Sequence, residues 1–136
     1  MNPNSTPLVQ RSVDARGVVT LTLNRPESFN ALSQAMLAAL QGEFDALRAD
    51  DSVRVVILGA AGKAFCAGHD LKEMRREPSL PYYQALFEQC TKLMLSVQGL
   101  SVPVIARVQG MATAAGCQLV AMCDLAVAAS TAQFAV

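Results

Sequence analysis

The first part of the chain shows a strand-like pattern of apolar residues followed by a helix-like one. Apolar side chains alternate with threonines over residues 17–23, which is the period of a half-buried strand. A second short run at residues 8–13 precedes a turn-forming segment at 14–17, so the two runs predict a β-hairpin. Apolar residues then recur every three or four positions over residues 32–47, which predicts an amphipathic helix. Together these patterns predict one β-β-α unit.

The remainder of the chain alternates apolar runs with helical periodicity. The unbroken run at residues 55–58 predicts a strand buried on both faces. A long amphipathic helix is predicted from Pro81 to Gly99. Residues 103–108 and 124–129 have the composition of further strands. Strands that alternate with helices predict an α/β fold.

Two stretches rich in small residues, 65–72 and 109–118, each follow a predicted strand and precede a predicted helix. Asp70, with Glu73 three positions later, predicts an N-cap and a capping box, and the second helix is predicted to begin at Thr113. Helix N-termini present unpaired N–H donors with positive partial charge, which can stabilise an oxyanion. The two stretches are expected to meet at one end of the sheet, where α/β proteins bind ligands. The alternative is that the small residues only permit close packing.

Composition narrows the class of protein. The chain has 136 residues, of which 52% are hydrophobic and 16% charged, as expected for one globular domain. We assign residues 1–7 to a disordered lead-in and residues 8–136 to the domain. Eleven basic residues balance eleven acidic ones, so no overall charge favours nucleic acid or a membrane surface. Without an apolar run long enough to span a bilayer, or a secretory signal, a cytoplasmic location is predicted, or the mitochondrial matrix for a eukaryotic source.

The cysteines and the single histidine do not predict a metal site. The four cysteines lack CxxC spacing, and His69 is the only histidine. Reduced thiols are therefore expected. Cys117 lies near a predicted helix start, where a thiol can become more acidic, although a buried packing role is the simpler interpretation.

Six short motifs follow one another along the chain: Leu23-Asn24-Arg25-Pro26, Asn30-Ala31-Leu32, Phe65-Cys66-Ala67-Gly68-His69-Asp70-Leu71-Lys72-Glu73-Met74, Pro103-Val104-Ile105-Ala106, Gly116-Cys117-Gln118-Leu119 and Cys123-Asp124. Their order and spacing over residues 17–136 resemble the crotonase family, the enoyl-CoA hydratase/isomerase superfamily. The resemblance implies a spiral of β-β-α turns and an acyl-CoA thioester as ligand. It implies no cofactor beyond the coenzyme A of the substrate and, for a full-length chain, a homotrimer or hexamer.

The resemblance also assigns roles to individual residues. The family's two oxyanion-hole N–H groups fall on His69 and Ala115, and the family residue at the first of these positions is usually small. Lys63 and Lys72 match basic positions near the phosphates and adenine of coenzyme A. Asp70 is expected to cap a helix beside the ligand. Apolar lining of the acyl or pantetheine channel is expected from Phe29, Ala67, Leu71 and Met74.

Gln118 departs from the family pattern. This position carries a catalytic glutamate in hydratases of the family, whereas a glutamine has no proton to exchange near neutral pH. The resemblance places the second family glutamate just past Val136. It also suggests that the chain is incomplete at its C-terminus, without the helices that complete the family pocket.

Three functions follow from these patterns. The first is an enoyl-CoA hydratase/isomerase-family enzyme with weak or altered hydration chemistry. The second, favoured by Gln118, is a non-catalytic acyl-CoA-binding protein. The third is a thiol-dependent acyl transferase or hydrolase, with Cys117 as nucleophile and His69 as base.

Overall fold

The computed structural model describes residues 5–136 and contains the predicted β-β-α unit at its start. In these residues the elements are β1 (Val9–Val13), β2 (Val18–Leu23), a 3-10 turn (Pro26–Ser28), α1 (Gln34–Arg48), β3 (Val55–Ala60), β4 (Ala64–Cys66), α2 (Leu71–Arg76), α3 (Leu80–Gln98), β5 (Val104–Val108), β6 (Met111–Thr113), α4 (Ala115–Met122), β7 (Leu125–Ala128) and β8 (Gln133–Ala135). Part of the predicted lead-in at residues 1–7 lies outside the described residues, and that assignment stays a prediction.

The larger sheet has the strand order β1-β2-β3-β5-β7. The hairpin of β1 and β2 is antiparallel, and the other three pairings are parallel. Parallel neighbours require crossover connections, which α1 supplies between β2 and β3 and α3 supplies on the way to β5. The mixed α/β class predicted from the sequence is therefore confirmed.

A smaller sheet of order β4-β6-β8 was not predicted. Each of its strands has three residues, too few to show a period of two. Its strands are parallel, with Cys66 opposite Ala112 and Thr113 opposite Ala135. The predicted helix start at Thr113 is wrong, because Thr113 closes β6 and α4 begins two residues later.

The core lies on one face of the larger sheet. The side chains of Leu21, Leu23 and Leu58 are fully buried and belong to one apolar cluster with residues of α1 and α3. The prediction that β3 is buried on both faces is wrong, since Val55 and Ile57 are only half-buried on the opposite face. Strand β7 is exposed on both faces. None of the helices in residues 5–136 combines the length and apolar character needed to cross a membrane.

Candidate functional site

The two stretches of small residues meet at one edge of the smaller sheet, as expected. Parallel pairing of β4 with β6 brings the ends of these strands to the same edge. The Thr113 hydroxyl donates to the Ala67 carbonyl oxygen at 3.2 Å, which joins the last residue of β6 to the segment that follows β4. A methyl group added at Gly68 would lie 3.3 Å from the backbone nitrogen of Ala115. The N-terminus of α4 is therefore packed directly against the residue that precedes His69.

Among the described residues, the backbone N–H groups of His69 and Ala115 at this junction are unpaired. The N–H of Ala115 is the first of α4 and has no acceptor within the helix. On either side of His69, the Leu32 N–H donates to the Gly68 carbonyl at 2.7 Å, and the Asp70 N–H donates to the Leu32 carbonyl at 3.3 Å. This alternation turns the N–H of His69 away from Leu32. Among residues 5–136, no protein group accepts a hydrogen bond from the N–H of either His69 or Ala115.

Asp70 caps α2 and also carries an ion pair. One carboxylate oxygen, Oδ1, accepts from the N–H groups of Lys72 and Glu73 at 3.1 Å each, which confirms the predicted N-cap. The other, Oδ2, accepts from Nη1 of Arg25 at 2.8 Å. Burial alone would raise the pKa of Asp70, but the hydrogen bonds from Glu73, Arg25 and Lys72 outweigh it, so the pKa is lowered.

The second half of the predicted capping box is wrong. In a capping box the Glu73 carboxylate would accept from the Asp70 N–H. That N–H is already used by the Leu32 carbonyl, and Glu73 Oε2 instead accepts from the N–H of Gln34 at 2.9 Å. Glu73 therefore satisfies a donor in the first turn of α1 and connects α2 to it.

The direction of the Ala115 N–H depends on an unusual backbone conformation. Ala114, which precedes it, has φ 50° and ψ −125°, a region that glycine tolerates and other residues rarely occupy. Its N–H donates to the Ala135 carbonyl of β8 at 2.9 Å. Gly116 packs so closely on the Cys66 carbonyl that any side chain would overlap it. Strained residues of this kind cost about 1–3 kcal/mol and persist where the surrounding structure enforces them.

The imidazole of His69 lies against α3. It is half-buried and contacts the ring of Phe87 edge to face, with the ring centroids 5.4 Å apart. Its Nδ1 is buried and has no hydrogen-bond partner among the described residues. Burial lowers the pKa of His69, so the neutral ring is favoured. The larger side chain at this position is thus accommodated by packing on Phe87 and leaves the backbone N–H available.

The thiols and Gln118 have different environments. Gln118 is exposed on α4, where its side chain can orient a water molecule but cannot take a proton. Cys117 is half-buried, and in residues 5–136 no hydrogen bond joins it to His69. Burial raises the pKa of Cys66 to about 11 and that of Cys123 to about 12, which keeps both thiols protonated near neutral pH.

A cleft of about 240 Å³ lies beside this junction. It brings together four predicted ligand residues, Phe29, Asp70, Leu71 and Lys72. Four other predicted residues do not line the cleft: Lys63, Ala67, His69 and Ala115. Of these, Lys63 is exposed on the turn before β4. The remaining lining residues are Arg25, Glu27, Ser28, Ala31, Glu73 and Arg76.

Sequence reasoning missed Arg76 and Asn30. Arg76 follows Lys72 by four residues, so helical spacing could have placed both cations on one face of α2. Asn30 is fully buried in a left-handed conformation with φ 54°. Asparagine tolerates that conformation, but nothing in the local sequence shows that it is used here.

Comparisons with known proteins agree with the motifs. The family model described as enoyl-CoA hydratase/isomerase matches residues 14–136. The enoyl-CoA hydratase domain-containing protein 3 of Xenopus laevis, a mitochondrial protein, is 47% identical over 119 residues, which are 88% of this chain and 40% of that protein. The human protein of the same name is 43% identical over 129 residues, which are 95% of this chain and 42% of the human protein. The motifs also resemble this subgroup, and the comparison confirms that similarity.

Solved structures show the same fold. An enoyl-CoA hydratase from Mycobacterium smegmatis is 68% identical, with a TM-score of 0.95, over 96% of this chain and 51% of that structure. The human domain-containing protein 3 structure is 40% identical, with a TM-score of 0.89, over 95% of this chain and 51% of that structure. The chain thus spans about 40% of these curated relatives and about half of these solved chains. By sequence and by fold, it belongs to the enoyl-CoA hydratase/isomerase, or crotonase, family.

Proposed function

We propose that this chain binds an acyl-CoA thioester and polarises its carbonyl between the N–H groups of His69 and Ala115. The observation that carries the proposal is the pair of unpaired N–H donors at the junction of the two stretches. Donors fixed before the ligand arrives stabilise a developing oxyanion without reorganisation, and such stabilisation is usually the largest single contribution to catalysis. A thioester enolate would carry its negative charge on that oxygen.

The cleft beside the junction suits the coenzyme end of the ligand. Lys72 and Arg76 provide cations for phosphate groups, whereas the charge of Arg25 is already paired with Asp70. The exposed side chains of Phe29 and Leu71 provide apolar surface for an adenine ring. We assign Ala67 to the wall between the thioester site and the coenzyme cleft, because its carbonyl is held by the Thr113 hydroxyl. Lys63 stays a weaker candidate because it lies outside the cleft. Coenzyme A enters as part of the substrate, and the proposal needs no other cofactor.

Gln118 sets the limit on turnover. Hydration of an enoyl thioester needs a group that removes a proton from water, and an amide cannot do so near neutral pH. The proposed enzyme therefore polarises its ligand well and hydrates it slowly. Related family members include hydratases and an isomerase, the latter named as a 1,2-epoxyphenylacetyl-CoA isomerase from Escherichia coli.

Decay of crotonyl-CoA absorbance tests the enzymatic proposal. The wild-type protein should give slow decay, and Gln118→Glu should accelerate it by about 10²-fold, the usual contribution of a positioned base. Gln98→Glu is a matched control, since Gln98 is also exposed on a helix but lies at the far end of α3. Constant absorbance with both wild type and Gln118→Glu would rule out hydration.

A non-catalytic acyl-CoA-binding role is the second candidate, and the exposed amide of Gln118 favours it. In that case butyryl-CoA should raise the melting temperature without being consumed. Ligand at about 100 times Kd stabilises a protein by about 2.7 kcal/mol, so the shift should be easily measured. The absence of any shift with butyryl-CoA would contradict both candidates.

We further propose that the protein self-associates as a trimer or hexamer, in a reducing compartment that would be the mitochondrial matrix in a eukaryote. The exposed apolar side chains of Leu125 and Val127 on β7, 63% and 64% accessible, support association. Sedimentation velocity would test the assembly, and a strictly monomeric species would contradict it.

A further inference from the structure

Arg25 links three segments around the candidate site. Its Nη1 donates to Asp70 Oδ2 at 2.8 Å, and its backbone N–H donates to Asn30 Oδ1 at 2.8 Å. The Asn30 amide donates in turn to the carbonyls of Ala61, just after β3, and Ala64, the first residue of β4, at 2.8 and 3.0 Å. Arg25 is therefore anchored to the sheet on one side and to the cap of α2 on the other.

Through Asp70, Arg25 reaches the segment that carries the His69 N–H. Gly68 and Asp70 are both hydrogen-bonded to Leu32, and His69 lies between them. The side chain of Asp70 is only 11% exposed and that of Arg25 28%, so their interaction is shielded from water and is stronger than an ordinary surface pair. A displacement of Asp70 would move the adjacent peptide, which carries the His69 carbonyl, and with it the orientation of the His69 N–H.

We infer that Arg25 is a positioning residue for the thioester site: through Asp70 it holds the His69 N–H in the direction of the ligand oxygen. The inference rests on the proposed function. It adds that the charged pair acts on carbonyl polarisation, and that a neutral side chain at Arg25 leaves coenzyme A binding intact. A misplacement of about 1 Å in such an arrangement can lower a rate by about 10²-fold.

Arg11 is a matched control for Arg25. Its side chain is also 28% exposed, and it pairs with Glu43 at 3.3 Å and, at the longer distance of 3.8 Å, with Asp50. That pair connects β1 to α1, in a part of the sheet away from residues 67–70. Arg11→Met therefore removes an equally accessible arginine and an ion pair without touching the site.

The test uses butyryl-CoA labelled with ¹³C at the thioester carbonyl, observed by isotope-edited infrared spectroscopy on the whole chain. In the wild type, binding should move the carbonyl band to lower frequency. Arg25→Met and Asp70→Asn should both lose most of this shift and bind butyryl-CoA about tenfold more weakly, the equivalent of one hydrogen bond. Arg11→Met should match the wild type. Affinity for free coenzyme A, which has no carbonyl at this site, should be unchanged in Arg25→Met and Arg11→Met, because Asp70 and Glu43 already pair with these two arginines.

Each outcome decides between roles. Wild-type protein that binds butyryl-CoA without a band shift would overturn the proposed polarisation and this inference with it. A wild-type shift that persists in both site variants would overturn this inference alone. Weaker binding of free coenzyme A to Arg25→Met would make Arg25 a direct ligand contact instead. If Arg25→Met does not fold, Asp70→Asn decides, because its amide oxygen can still cap α2 while the charge is lost.

Discussion

The two N–H groups of the candidate site are held by different means. The first, on His69, lies in a segment fixed by side chains, with the Asp70 carboxylate bonded to Arg25 and to the start of α2. The second, on Ala115, follows a strained residue, Ala114, whose N–H is bonded to the Ala135 carbonyl of β8. The first segment therefore combines a charged side-chain pair with backbone hydrogen bonds to Leu32, whereas the second relies on backbone geometry.

This difference teaches where each donor is vulnerable. A network of polar side chains fails when one partner is removed, because the remaining buried groups lose their hydrogen bonds. A strained backbone fails when the contacts that enforce it are pushed apart. Substitutions are therefore expected to disturb the two donors separately, with effects of different size and sign.

The largest effect on stability is expected from Gly116→Val, which disrupts the contact between the stretches 65–72 and 109–118. A side chain at this position overlaps the Cys66 carbonyl, so α4 must move away from β4. Overpacking against backbone should lower the free energy of unfolding by about 3 kcal/mol or more, as measured by urea denaturation. Gly42→Ala is the control, because a methyl group added at this position on α1 would meet nothing within 4 Å beyond its own helix backbone, and the change should stabilise by about 0.5–1 kcal/mol. Equal effects of the two changes would contradict the close packing.

Asn30→Ala should have the next largest effect and should act on the first donor. It removes three hydrogen bonds and leaves the partly buried N–H of Arg25 without its acceptor. A loss of about 3 kcal/mol in the free energy of unfolding is expected. Asn24→Ala is the comparison, since its amide makes one bond, to the Pro7 carbonyl, and should cost less than about 1 kcal/mol. A smaller loss for Asn30→Ala than for Asn24→Ala would show that the network around Arg25 is unimportant.

Ala114→Gly should act on the second donor with the opposite sign. Glycine adopts φ 50° and ψ −125° without strain, which outweighs its greater freedom in the unfolded chain. Stabilisation by about 1 kcal/mol is expected from thermal unfolding. Ala121→Gly, on an exposed position of α4, should instead destabilise by about 1 kcal/mol. Destabilisation by both changes would mean that Ala114 is not strained.

The smallest effect is a pH dependence of stability that comes from His69. Burial lowers its pKa in the folded state below the ordinary value of 6.5, so the unfolded chain binds more protons at mildly acidic pH. The neutral ring contributes fully to the free energy of unfolding above pH 6.5, and this contribution is lost as the pH falls through the pKa of His69 in the folded state. Urea denaturation between about pH 7.5 and pH 5.5 should show this decline in the wild type but not in His69→Gln, which lacks the only histidine. The same decline in the variant would assign it to other groups.

Periodicity predicted the longer elements well. The apolar positions of β2, α1 and α3 that recur at the expected spacing are the ones the structure buries, including Leu21, Leu40 and Leu93. The Asp70 cap was also predictable, because a cap uses residues within one turn. The three strands of the smaller sheet were not, since each is short and gains its hydrogen bonds from residues far away in sequence.

By itself, the sequence determined the α/β class, the family and the two stretches that carry the candidate donors, because motifs, caps and apolar periods are local properties. Only the tertiary structure decided what holds those donors. Arg25 and Asp70 are separated by 45 positions, Ala114 is strained through its contact with β8, and His69 packs on a helix that the motifs do not include. Such interactions depend on which distant segments the fold brings together, and chain closure over those distances leaves no local pattern.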